Sequence, residues 1–159
     1  TLFEAGAICE ILCERFPKAG LGRSQDHPER MDWLVWVHFA ETISQHTAAL
    51  TQQHVAIFTD EMRSITVMKI EAARLASTLK TMDRVLAERD WLLPSGFSAA
   101  DTMMGFNLFS APYYVLFDQF PHVAAYVARI EARPAYKDAR LLDGKQEFYS
   151  KEFYEVPNG

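Results

Sequence analysis

The chain has 159 residues, of which 49% are hydrophobic and 23% charged, the balance of an ordinary single globular domain and not of a disordered tail. A formal net charge of −5 with no Lys/Arg block excludes the basic footprint of a nucleic-acid binder. The longest uncharged stretch, residues 102–117, is 16 residues long and interrupted by Asn107 and Pro112, short of the roughly 20 apolar residues a membrane span needs.

Helical periodicity runs through the chain. Ile8, Ile11, Leu12 and Phe16 recur at helical spacing and predict a first helix from Ala5 to Arg15. Cys9 and Cys13 lie one turn apart on it. Two cysteines make no disulfide framework, and both read as reduced thiols of a cytoplasmic protein. Residues 17–22 form a loop. Asp26 and Glu29 then read as a capping pair that starts a second helix, with Pro28 in its first turn. That helix carries two apolar rows, Met31, Leu34, Val35 and Phe39 beside Trp33, Trp36, Val37 and Ala40, so it should sit between neighbours.

A long third helix is expected from Thr59 to Glu88, with a stripe of Met62, Ile65, Ala72, Leu75, Ala76, Leu79, Met82 and Leu86. Pro94, Ser95 and Gly96 break the chain. Ser98 and Asp101 form a capping box, the hydroxyl accepting from the Asp101 N–H and the carboxylate from the Ser98 N–H. The following helix carries no charge beyond Asp101 and should be the buried centre, ended near Ala111 by Pro112. Pro121 opens a further helix with Val123, Val127 and Ile130 on one face, and Pro134 stops it. The tail from Asp143 carries Phe148, Tyr149, Phe153 and Tyr154. No segment shows the period-two alternation of a strand. The fold class expected from these patterns is all-α.

Three motifs in order carry a resemblance. Phe3-Glu4-Ala5-Gly6-Ala7-Ile8, followed by Leu12 and Phe16-Pro17, resembles the E-S-x-A-I motif that closes the thioredoxin-like domain of glutathione transferases. Trp91-Leu92-Leu93 with Phe97-Ser98-Ala99-Ala100-Asp101 resembles the capping box that starts the central helix of that family's C-terminal domain. Phe120-Pro121-His122-Val123, Tyr126, Arg129 and Arg133-Pro134-Ala135-Tyr136 resemble the same domain's last conserved stretch. Trp33-Leu34 and His38-Phe39-Ala40-Glu41 resemble its first long helix in bacterial members. The resemblance implies that residues 1–18 are the last helix of a thioredoxin-like domain and residues 19–159 a glutathione transferase helical domain. A chain that opens inside such a motif, without Met, reads as a piece of a longer protein.

What the resemblance implies about function follows from its parts. The intact protein would conjugate glutathione, as co-substrate, to small hydrophobic electrophiles in detoxification, or reduce peroxides with it. It would act as a cytoplasmic homodimer, without nucleic acid, membrane or metal. The group that stabilises the glutathione thiolate is expected upstream of Thr1, so no catalytic residue is assigned in this chain. Glu4 and Ala5 stand where the family grips the γ-glutamyl end of glutathione, Glu4 meeting its ammonium. Ala5 replaces the usual Ser and leaves only a backbone N–H at a helix N-terminus for the carboxylate. His38, Glu41, Gln45 and His46 on the second helix, with Phe106, Ser110 and Tyr113 on the central one, are the candidate substrate wall. Ser98 and Asp101 are structural. His46, Gln52, Gln53 and His54 have no carboxylate or Cys companion at ligand spacing, so no zinc site is expected there. The rival reading is a non-catalytic interaction or regulatory domain of the same shape.

Overall fold

The computed structural model describes residues 3–157 and contains six α-helices and no strand among them. They are α1 (Ala5–Arg15), α2 (Arg30–Thr51), α3 (Ile65–Leu86), α4 (Ala99–Leu108), α5 (Pro121–Glu131) and α6 (Pro134–Asp143). The all-α expectation holds.

The bundle is organised around α2 and α4. α2 lies along both α3 and α4, α5 closes against α3 and α4, and α1 flanks α4. Gln53 meets Ser64 and His46 meets Glu71, contacts that run in opposite chain directions, so α2 and α3 form an antiparallel hairpin. The core joins Trp33, Ile43 and Leu50 of α2 to Leu75, Leu79 and Met82 of α3, Met104 and Leu108 of α4, and Tyr126 of α5. Gly105 lets α4 and α5 approach closely, since a Cβ there would stand 3.0 Å from Ile130 Cγ2. No helix among the described residues is long and apolar enough to cross a membrane.

The starts of α2 and α3 depart from expectation. α2 begins at Arg30, with Glu29 as an N-cap whose side chain caps nothing. The Glu29 carboxylate instead accepts from Arg23 Nε at 3.1 Å, from the Ser95 backbone N–H at 2.9 Å and from the Ser95 hydroxyl. Arg23 is itself 8% exposed and also donates to the carbonyls of Gly20 and Gly22. One buried guanidinium thus knots the loop before α2 to the loop before α4. α3 begins at Ile65 and not Thr59. Ser64 is its cap, accepting from the Val67 N–H at 3.3 Å, and a short 3-10 turn fills Asp60–Met62. Met62 therefore lies outside the buried stripe. Of the two rows on α2, the Trp33 row is buried, while Met31 and Val35 face outward. α4 ends at Leu108, and a 3-10 turn carries the chain through Pro112. Pro134 does more than stop α5: it occupies the first turn of α6, where its missing N–H costs nothing.

Candidate functional site

α4 presents two unlike faces. Met104 and Leu108 point into the core, whereas Thr102 and Phe106 face outward, Phe106 with 77% of its surface exposed. That outward face borders a cleft of about 1090 Å³ between α2, α4, α6 and the segment after α6. The size suits a small-molecule site, and apolar surface dominates its lining. Phe106, Phe109 and Ser110 come from α4 and the turn after it; Tyr136 and Arg140 come from α6.

The capping box fixes the start of α4, the helix whose outward face borders the cleft. Asp101 is fully buried, and its carboxylate accepts from the N–H groups of Leu92 (3.0 Å) and Ser98 (2.8 Å), from the Tyr126 hydroxyl (2.9 Å) and from the Ser98 hydroxyl (3.2 Å). Ser98 Oγ in turn accepts from the Ala100 N–H at 3.2 Å. Burial pushes the Asp101 carboxyl up from its ordinary range, and these donors pull back against it. Two arginines line the cleft. Arg140 lies 4.3 Å from the Phe109 ring centroid and pairs with Asp143 at 2.6 Å; Arg133 lies 3.5 Å from the Phe97 centroid. At the far end Thr51 bonds the hydroxyls of Tyr114 (2.7 Å) and Tyr149 (3.2 Å).

Of the residues singled out by sequence, Phe106 and Ser110 line this cleft. Tyr113 stands behind its wall, stacked on Tyr149 at 4.1 Å and accepting from Gln146 Nε2 at 3.2 Å. The α2 candidates are spread round that helix. His38 is exposed and reaches Glu10 of α1 at 3.2 Å. Glu41 and Gln45 are exposed and make no side-chain hydrogen bond or ion pair among the described residues. His46 meets Glu71 of α3 at 2.7 Å. The α2 residues that do line the cleft are Ser44, Thr47, Ala48 and Thr51, a stripe at i, i+3, i+4 and i+7. Sequence reasoning missed this stripe because it sought chemically conspicuous side chains; the small residues at helical spacing were the available signal. It also missed α6 and Tyr149.

Glu4 and Ala5 open α1 and are both exposed; neither lines the cleft. Glu4 adopts φ +71°, the left-handed region, without being glycine. A residue held there is strained by about 1–3 kcal/mol. Its carboxylate makes no cap hydrogen bond. Cys9 and Cys13 are both free thiols facing one another. Burial, reinforced by Cys13, pushes the Cys9 thiol up to about 12, so it is protonated near neutral pH and unsuited to nucleophilic attack.

The chain matches the family described as Glutathione S-transferase, C-terminal domain, over residues 50–138. It is 29% identical over 145 residues to a rice (Oryza sativa subsp. japonica) protein named probable glutathione S-transferase GSTF1, covering 86% of this chain and 66% of that one. Its fold superimposes with a TM-score of 0.73 and 28% identity on a Pseudomonas putida glutathione transferase solved with glutathione disulfide bound, covering 86% and 60% of the two chains. A sphingomonad glutathione S-transferase complexed with glutathione gives a TM-score of 0.72 and 25% identity, covering 87% and 66%. This chain therefore spans less than two thirds of the length of each of these relatives.

Proposed function

The chain belongs to the glutathione S-transferase family, as its C-terminal helical domain, and from that premise we propose that it supplies the hydrophobic substrate wall of an enzyme that conjugates glutathione to small apolar electrophiles or reduces peroxides with it. The observation that carries the reading is the apolar cleft over the outward face of α4, with Phe106 and Ser110 on its wall. An apolar wall with few polar anchors suits an aromatic or alkyl electrophile, whose transfer from water the wall favours. In this reading residues 1–18 belong to a thioredoxin-like domain, and Glu4 holds the ammonium of glutathione while the Ala5 N–H meets its carboxylate. The thiolate-stabilising group comes from that same domain, not from this chain. The enzyme is a cytoplasmic homodimer with a detoxifying role.

One residue favours the rival reading of a non-catalytic regulatory or interaction domain. Ala5 lacks the hydroxyl that the family's motif offers glutathione. Joining the chain to the thioredoxin-like domain of a relative, and assaying glutathione with a chlorinated aromatic electrophile, separates the two. The expected outcome is turnover by the joined protein and none by the 159-residue chain. Phe106→Ala should then raise KM for the electrophile about tenfold, the order expected for losing the buried contact of one large apolar side chain, with KM for glutathione unchanged. No turnover in the joined protein, with apolar ligands still bound, would select the regulatory reading.

A further inference from the structure

The chain after α6 doubles back over the end of α2. Its Tyr154 N–H donates to the Tyr113 carbonyl at 2.8 Å. Gln146 Nε2 donates to the Tyr113 hydroxyl at 3.2 Å and to the Tyr149 carbonyl at 3.1 Å. Gln146, Phe148 and Tyr149 line the cleft, so the seating of this segment shapes that end of it.

Beneath the segment lies His54, in a π turn, Gln52–Ala56, that continues α2. Its ring is held between Tyr114, stacked at 5.7 Å, and Tyr154, tilted at 5.7 Å. Its Nε2 is shut off from solvent and has no hydrogen-bond partner among the described residues. Around it, the turn after α4 contributes the buried phenol of Tyr114 and the segment contributes the phenol of Tyr154. The loop before α3 brings Arg63, which donates from Nε to the Ile57 carbonyl at 2.8 Å and pairs with Asp60 at 2.6 Å. The segment brings Lys151, with Nζ 5.6 Å from the Tyr154 centroid. Glu147, Glu152 and Glu155 of the segment are exposed and form no ion pair among the described residues. The charged groups whose fields reach the ring are thus Arg63 and Lys151, both cations. Burial first, then these two, hold the imidazole below its ordinary 6.5.

We propose that His54 is the latch of a pH-released strap: its neutral ring seats residues 146–156 across the end of the cleft, and its protonation lets the segment go. Above 6.5 the ring is neutral whether the segment is seated or released, and the seat has its full strength. As pH falls below 6.5 the released form, rid of Tyr154 and Lys151, takes up the proton before the seated form does, so the seat weakens through that window. Below both values the weakening stops. The device does not rest on glutathione chemistry and is testable without it.

Amide hydrogen exchange at Tyr154, expressed as a protection factor, reads the seat directly, with Leu75 of the α3 core as the control. Protection of Tyr154 should fall as pH drops from about 7.5 to about 5.5 while Leu75 stays level, because the released form takes up the proton that the seated form resists. His54→Phe keeps an aromatic ring between the two tyrosines and should give a flat profile. Lys151→Gln removes one repelling cation and should raise the midpoint and make the fall shallower. A flat wild-type profile, or the wild-type slope in His54→Phe, would overturn the proposal. Should His54→Phe fail to fold, an unchanged midpoint in Lys151→Gln overturns it equally.

Discussion

Asp101 shows how one side chain can hold four donors from three parts of the chain. It accepts from the loop at Leu92, from the helix start at Ser98 and from Tyr126 of α5, all without solvent contact. The capping motif in the sequence announces the Ser98 bond and nothing of the other two partners. Asp101→Ala strands several buried donors at about 1–3 kcal/mol each before relaxation, so the loss should be on the order of 3 kcal/mol or more. Ser98→Ala removes one acceptor and should cost about 1 kcal/mol. In thermal melts these become a fall in Tm of about 6–12 °C for the first and about 2–4 °C for the second. Equal shifts for the two variants would mean that Asp101 does no more than cap α4.

Among the helices, a cap can come from a partner distant in sequence. Phe120 precedes α5 and has no side-chain cap to give. Asp83, on α3, fills the place: its Oδ1 accepts from the N–H groups of His122 at 2.8 Å and Val123 at 3.0 Å. A carboxylate there also meets the positive end of the α5 dipole. Asp83→Ala should therefore destabilise by about 1–2 kcal/mol, with exchange protection lost first in the opening turn of α5. Protection lost evenly along α3 and α5 would instead mark the residue as part of the core contact between them.

On the scale of the whole molecule, the apolar surface that remains exposed bears on self-association. Trp36 is turned into the core, with the half-buried Phe39 edge-on to it at 5.3 Å. Phe58 and Met62, between α2 and α3, are 92% and 73% exposed. Exposed apolar side chains of this kind favour burial against a second copy. In the proposed homodimer they belong to the contact. Sedimentation across a concentration series should show a weak monomer–dimer equilibrium, which the double variant Phe58→Asp, Met62→Asp shifts towards monomer. A strict monomer at all concentrations, or a dimer indifferent to both charges, would remove this surface from the contact.

The sequence alone determined the helical class, the bounds of α1, the start of α4 and the family, because each rests on helical periodicity or on short motifs in order along the chain. Periodicity is local, and so is the Ser98–Asp101 cap. Three things were decided only by the tertiary structure. Glu29 left its expected cap for Arg23 and Ser95, since a buried guanidinium needs a carboxylate more than a solvated helix end does. The cleft stripe on α2 became Ser44, Thr47, Ala48 and Thr51, and not the histidines, because His38 and His46 are taken by Glu10 of α1 and Glu71 of α3. The aromatic tail acquired a place because the end of α2 and the turn after α4 meet beneath it, with Thr51, His54 and Tyr113 as anchors. A sequence states which groups need partners within a helical turn; which distant group answers depends on how the helices pack, and no spacing along the chain encodes that.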